Sequence, residues 1–234
     1  MYDPKQKFSV KTKITVRWII VSLASIMILF LLVLLHDSRD KTPIKKVQYF
    51  NNKTVNDIVK TILEVDSTFE HVSVVLNETE PMLLNPNDDE NPDGLIYPPP
   101  PPDDTWFSRK DFNRWIKMDI ITSEEADCMF SSIDPFKRYL IDSMLINKSV
   151  FSREKHDELF TKYSLQDAYG MIRAQYGTSC LAKFGTPLFN EDSTKVLLTV
   201  SHYCGSLDGF GLLLILKKVD DIWQIIYKEE TWVS

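Results

Sequence analysis

Histidine, cysteine and glycine are scarce in this chain of 234 residues, which contains four, three and seven of them. Neither H-E-x-x-H nor C-x-x-C occurs, so the ligand spacing of common zinc sites is missing. Six of the seven glycines fall between residues 170 and 211. No predicted helix start follows them, as phosphate-binding loops require. The sequence therefore predicts no metal site and no cofactor.

Basic residues are also few, with 27 Lys and Arg against 33 Asp and Glu, for a net charge of -6. Residues 1–17 hold five basic residues and one acidic residue, +4 in total, so the remainder carries -10. An acidic body repels phosphate backbones, which argues against nucleic acid as a partner. The basic tail belongs with the apolar segment that follows it.

An apolar segment begins at Trp18 and ends at Leu35, with eighteen uncharged residues, thirteen of them Leu, Ile, Val or Phe. At a rise of about 1.5 Å per residue, such a helix nearly spans a hydrocarbon core of roughly 30 Å. A cleaved signal peptide is the alternative, but its apolar region runs about 7–15 residues and ends in a small-x-small site. Here the segment is longer and ends without small residues. We therefore predict an uncleaved transmembrane helix with the lipid bilayer as partner.

The orientation of this helix follows from the basic residues beside it. Five Lys and Arg precede it within fifteen residues and four follow. The positive-inside rule then places residues 1–17 in the cytoplasm and the C-terminal body outside it. The reverse orientation, with a cytoplasmic body, remains an alternative.

The three cysteines, Cys128, Cys180 and Cys204, allow at most one internal disulfide. Cys180 and Cys204 are the favoured pair, because both fall at the ends of predicted strands. Their bridge would close a loop of about 25 residues and stabilise the fold by roughly 3 kcal/mol. Three buried free thiols are an equal alternative.

Residues 81–104 are predicted to form an acidic, proline-rich loop. The stretch 78–104 contains eight acidic residues, no Lys or Arg, and five consecutive prolines at 98–102, which favour polyproline II. The motif DENPDG at 89–94 matches the opening of a calcium loop, with Asp89, Asn91 and Asp93 as candidate ligands. Pro occupies the twelfth position, where a bidentate Glu belongs, so a solvated acidic turn is the preferred interpretation.

The rest of the chain predicts an α+β domain. A charged stalk covers 36–50, and a helix and strand in 51–80 must pack on the main domain at 105–234. Helix starts are predicted at Thr54, Ser108, Ser123, Ser152 and Ser164, and Gly177 is a predicted C-cap. Strands are predicted at 71–77, 180–185, 195–203, 211–218 and 222–233. The C-terminal strands form an antiparallel meander sheet covered on one face by helices.

The stretch SHYCGSLDGFG, residues 201–211, combines Ser, His, Cys and Asp between two predicted strands. Ser201 and His202 alternate along a strand and therefore point to opposite faces. His202 and Cys204 share a face, which leaves a thiolate pair open as a nucleophilic site. The preferred interpretation is a hairpin connection.

Four stretches carry a resemblance to a known group of proteins: FGTPLFN (184–190), KVLLTV (195–200), YCGSLDGFG (203–211) and WQIIYKEETWVS (223–234). From about residue 105 onward the chain resembles small secreted or single-pass membrane-anchored bacterial proteins of unassigned function. The resemblance implies a shared fold and supplies no catalytic residues.

Together these features predict a single-pass, membrane-anchored extracytoplasmic protein that binds an envelope protein or ligand, or serves as a structural module of the cell envelope. The alternative is an extracytoplasmic hydrolase that uses Cys204 or a carboxylate.

Overall fold

The computed structural model describes residues 46–84, 106–178, 180–205 and 208–234. The helices are α1 (Lys53–Val65), α2 (Arg109–Lys117), α3 (Ser123–Ser131), α4 (Ser143–Ile146), α5 (Arg153–Lys162) and α6 (Leu165–Tyr176). The strands are β1 (Gln48–Asn51), β2 (Val74–Leu76), β3 (Leu83–Leu84), β4 (Trp106–Phe107), β5 (Lys137–Leu140), β6 (Ser149–Phe151), β7 (Leu181–Phe184), β8 (Leu188–Phe189), β9 (Lys195–Tyr203), β10 (Gly209–Val219) and β11 (Ile222–Val233). Val47–Ser234 forms one compact unit.

The main sheet has the strand order β11-β10-β9-β7-β2-β6, and β8 also pairs with β9, as its third partner after β10 and β7. Neighbours from β11 to β7 are antiparallel, whereas β2 pairs in parallel with β7 and with β6. The α+β class and the antiparallel C-terminal strands are therefore confirmed. A strand that contains β2 was predicted at 71–77, but its parallel pairing with β7 and β6 was not, because β6 has only three residues and shows no alternation.

The C-terminal meander follows the predicted strands closely. Strands β9 and β11 have the predicted bounds, and β10 is longer than predicted at both ends. Asp220 and Asp221 join β10 to β11 with φ of 50° and 65°. Asp tolerates this left-handed region, which a two-residue hairpin turn requires. Gly209 and Gly211 lie within β10 and not in the connection between β9 and β10. The Trp232 ring packs against both of them, in space that a side chain would fill.

Side-chain caps set the helix starts. The predicted caps Ser108, Ser152 and Ser164 each accept a backbone N–H, and Gly177 ends α6 with φ of 76°. The two other predicted caps were wrong by one or two residues. Asn52 caps α1 in place of Thr54, because its amide oxygen accepts the Thr54 N–H at 2.8 Å.

The start of α3 lies one residue before the predicted cap. Thr122 takes the capping position in place of Ser123, because its hydroxyl accepts the Glu125 N–H while the Glu125 carboxylate accepts the Thr122 N–H. This reciprocal capping box satisfies two backbone donors that a Ser123 cap would leave without such a partner.

Helices cover both faces of the sheet, whereas only one covered face was predicted. A large apolar cluster contains residues from both faces of the main sheet. The neighbouring β11 residues Lys228 and Glu229 contact Asp66 at the end of α1 and Arg114 on α2, so α1 and α2 lie on opposite faces. A smaller cluster packs α5 and α6 against the face opposite to α1. On β2 and β7, Val74 and Leu181 face the smaller cluster, and Val75 and Ala182 face the larger one.

The helical spacing in the sequence predicts that Leu165, Ala168, Met171, Ile172 and Tyr176 of α6 face inward, and the structure confirms this only in part. Ala168 and Ile172 are buried as predicted, but Leu165 and Met171 are exposed and Tyr169 is buried. The reason is that α6 covers only a small cluster near the edge of the sheet, so its buried stripe is narrow.

Several predictions fall on residues outside the described ranges. These are the tail at 1–17, the span from Trp18 to Leu35, most of the stalk, and nearly all of the acidic loop with Asp89, Asn91 and Asp93. Among the helices that the structure does describe, none has both the length and the apolar character needed to cross a bilayer. The last residues of the predicted stalk form β1, which pairs in parallel with β5.

Candidate functional site: a polar cleft beside the sheet

A cleft of about 270 Å³ opens on the sheet face that carries α5 and α6. Strands β7 and β9 form its floor, and the segment after β2, strand β5 and helix α5 form its walls. The polar residues that line it are Glu80, Arg138, Arg153, His156, Asp157, Lys183, Thr199 and Ser201.

The floor of the cleft is set by strand register. Lys183 on β7 lies directly opposite Ser201 on β9, so both side chains share one face of the sheet. Thr199 lies two residues earlier on β9 and therefore shares that face. Among the described residues, neither the Thr199 nor the Ser201 hydroxyl has a hydrogen-bond partner. These hydroxyls are free to bond to a ligand.

Glu80 is held in the wall by main-chain hydrogen bonds to the end of β7 and the segment that follows it. Its N–H donates to the Phe184 carbonyl at 2.7 Å, and its carbonyl accepts the Thr186 N–H at 2.7 Å. Just before it, the Thr79 N–H donates to the Tyr139 carbonyl at 2.9 Å. The buried hydroxyls of Thr79 and Thr186 lie 3.0 Å apart and form a hydrogen bond that holds these two segments together.

The two carboxylates that line the cleft both pair with Arg153 and share its single positive charge. This guanidinium forms an ion pair with Glu80, and its Nε lies 3.4 Å from the Asp157 Oδ2. Burial alone would lower the pKa of Arg153, but the Glu80 carboxylate outweighs it and the pKa is raised. The main chain of Arg153 is held by its backbone N–H, which donates to the Asn77 side-chain oxygen at 2.8 Å.

Arg138 and Lys183 differ from Arg153, because no carboxylate of the described residues pairs with either of them. The Arg138 Nη1 donates to the carbonyls of Pro135 and Lys137, each at 2.8 Å. Burial lowers the pKa of Arg138. The Lys183 ammonium lies 5.1 Å from the centre of the Tyr203 ring. The cleft therefore presents two cations whose charge is not balanced by a direct partner.

His156 contributes a neutral imidazole to the wall. Burial, and next the nearby Lys183, lowers its pKa. Its Nδ1 lies 2.9 Å from the Asp157 Oδ1, and its ring stacks on Phe160 with centroids 4.5 Å apart. At neutral pH the residues lining the cleft thus comprise three cations and two carboxylates.

Glu78 lies two residues before Glu80 in the chain and is 8% exposed. Burial raises the pKa of its carboxyl above the ordinary value, although Arg153 and Arg138 oppose the shift. A raised pKa in the folded state stabilises that state below the unfolded value of 4.5, and the contribution is lost as the pH rises through the folded value.

Replacing Glu78 with Gln removes this loss. We therefore expect Glu78→Gln to gain stability relative to the wild type as the pH rises from about 4 to about 7. Urea unfolding at several pH values measures the difference, and Glu80→Gln is the control, since it loses the ion pair with Arg153 and should be less stable at neutral pH. A Glu78→Gln difference that is independent of pH would refute the prediction.

Cys180 and Cys204 form a disulfide between β7 and β9, just beyond the pair Leu181–Tyr203. The His202 Nε2 lies 3.3 Å from the Cys204 sulfur, and burial lowers the pKa of His202. The ligand atoms of these three side chains lie within 4.8 Å of one another. Because the sulfurs are bonded to each other, neither is a thiolate that can attack a substrate or bind a metal ion.

The stretch 201–211 is a hairpin connection, as predicted, and its polar residues separate. The Cys204 N–H donates to the Asp208 carbonyl at 2.8 Å, which closes the connection between β9 and β10. Ser201 lines the cleft, whereas His202 is buried against Phe69 and Phe210 on the opposite face. Cys128 is the free cysteine of the described residues.

The cleft could not be found from a local motif, because its residues come from separate parts of the chain. A Lys and a Ser on opposed strands were the one available signal, and they look like an ordinary polar sheet face. Comparison with protein-family models, curated proteins and solved structures gives no match to this chain. The interpretation of the cleft therefore depends on its geometry.

Gly185 leaves space for the cleft wall. A Cβ at this position would lie 2.3 Å from the Thr199 Oγ1 and 3.3 Å from the Thr199 N. We expect Gly185→Ala to lower the free energy of unfolding by about 1–3 kcal/mol, because the main chain must shift. Gly170→Ala is the matched control: a Cβ there meets nothing within 4 Å, and Ala should stabilise α6. Equal effects in urea unfolding would contradict the role given to Gly185.

Proposed function

We propose that this chain is a single-pass membrane protein whose compact unit, Val47–Ser234, acts outside the cytoplasm as a ligand-binding module. The observation that carries the proposal is the disulfide between Cys180 and Cys204. Disulfides persist in oxidising compartments and are rare in the cytosol. This agrees with the orientation that the basic residues predict for the apolar segment from Trp18 to Leu35.

Binding is favoured over catalysis by the chemistry of the cleft. Small-ligand sites combine a concave shape with a few convergent polar groups, and the hydroxyls of Thr199 and Ser201 together with Lys183 fit this description. Ser201, His156 and Asp157 are residue types found in hydrolase triads. However, the structure has no hydrogen bond between the Ser201 hydroxyl and His156, so Ser201 lacks the base that would activate it.

Membrane attachment is tested by washing membranes of cells that produce the chain with alkaline carbonate. We expect the protein to stay in the membrane pellet with its tail at 1–17 intact, and a variant lacking 18–35 to be released. Recovery of a soluble form that begins near His36 would contradict the proposal.

The disulfide is tested on the same membranes by alkylating thiols after denaturation without reductant. We expect one thiol, that of Cys128, to react before reduction and all three after it. Reaction of all three thiols before reduction would remove the observation on which the proposal depends.

A further inference from the structure

We propose that the cleft binds an oxyanion, a carboxylate or phosphate group of a small ligand, between Arg138 and Lys183. This inference rests on the proposed function, since it names the class of ligand for the same cleft. Three features of the cleft lead to it: the pairing of its charges, the free donors of Arg138, and the unpaired hydroxyls of its floor.

The three cations and two carboxylates that line the cleft leave a net charge of +1. Both carboxylates, Glu80 and Asp157, have Arg153 as their direct ion-pair partner. Arg138 and Lys183 form no direct ion pair with a carboxylate of the described residues, although the charges of Glu78 and Glu80 act on Arg138 from a greater distance. A partly buried charge without a partner is costly, and an anion brought by a ligand would offset that cost. A cationic ligand would be opposed by the net positive charge of the residues that line the cleft.

The Arg138 guanidinium has N–H donors that make no hydrogen bond within the described residues. Only Nη1 is engaged within the described part of the chain, by the carbonyls of Pro135 and Lys137. Its Nε and Nη2 remain for a ligand, and the planar fork of a guanidinium matches the oxygens of a carboxylate or phosphate. Arg138 is thus a directional partner, and Lys183 adds a point charge.

The floor supplies neutral donors beside these cations. Thr199 is 6% exposed, and its hydroxyl opens onto the cleft without a hydrogen-bond partner in the described residues. The Ser201 hydroxyl lies on the same face and opposite Lys183. Both hydroxyls can donate to oxygens of an anion held by the two cations.

The experiment uses the full chain in a maltoside detergent, which contains neither phosphate nor carboxylate. Inorganic phosphate and succinate are titrated separately at constant ionic strength, and thermal unfolding and calorimetry report binding. We expect saturable stabilisation by at least one of them, and the stronger ligand distinguishes phosphate from carboxylate. Lys183→Gln and Arg138→Gln should each weaken binding by about tenfold or more, because each removes a charge-assisted contact.

Lys217→Gln is the matched control, since Lys217 is exposed on β10 away from the cleft and its loss should leave binding unchanged. Arg138 also donates to main-chain carbonyls, so its replacement could disturb the fold. If Arg138→Gln fails to fold, the anion affinity of Lys183→Gln alone tests the inference. The inference is overturned if neither anion binds saturably, or if Lys183→Gln binds like the wild type.

A panel of neutral sugars and amines in the same titration separates this inference from the proposed function. If one of them binds and Ser201→Ala abolishes its binding, the cleft is a ligand site of another class. That result overturns the oxyanion proposal and leaves the proposed binding module in place.

Discussion

The double variant Cys180→Ser/Cys204→Ser is expected to unfold with a free energy about 3 kcal/mol below that of the parent chain. The bridge joins residues 24 positions apart, and closing such a loop restricts the unfolded chain by roughly this amount. The disulfide also ties β7 to β9 three residues from the pair Lys183–Ser201. Its loss should therefore loosen the floor of the cleft as well as lower the stability.

Urea unfolding of the oxidised chain, the reduced chain and the double variant measures this effect. Cys128→Ser is the control, because it removes a thiol outside the bridge. The reduced chain and the double variant should agree. If the oxidised chain is no more stable than either of them, the disulfide does not stabilise this fold.

The second large effect is expected at Phe112, which is fully buried at the centre of an aromatic cluster. Its ring centroid lies 5.1 Å from that of Trp115, 5.5 Å from that of Phe130 and 6.3 Å from that of Phe107, all in edge-to-face arrangements. Phe112→Ala removes these contacts and leaves a cavity, so we expect a loss of about 3–5 kcal/mol.

Tyr163→Ala is the matched control for this prediction, since Tyr163 is an exposed aromatic residue at the end of α5. Chemical unfolding of both variants should show a several-fold larger loss for Phe112. A loss below about 1 kcal/mol at Phe112 would mean that α2 is not anchored by this cluster.

Elements with strong local signals were predictable from the sequence. Strands β9 and β11 are long, alternate or run apolar, and end at turn residues, so their bounds were predicted correctly. The caps Ser108, Ser152 and Ser164 were predictable because each is a short polar residue before a helical pattern. In such segments the local and tertiary preferences agree.

Elements that depend on distant partners were not predictable. Strands β5 and β6 have three or four residues, and they exist because other parts of the chain supply their hydrogen bonds. The cleft has the same origin. Arg138, Arg153 and Lys183 come from the small β1–β5 sheet, helix α5 and the main sheet, and only the tertiary packing of these elements brings them together. The sequence instead singled out His202 and Cys204, which lie apart from the cleft.

The side of the membrane on which the C-terminus lies is the most direct test of the account. Two reporters are fused in turn after Ser234, one active only in the cytoplasm and one active only outside it. We expect activity only from the reporter that works outside the cytoplasm, and its loss when residues 18–35 are deleted. Activity of the cytoplasmic reporter on the full chain would contradict the account.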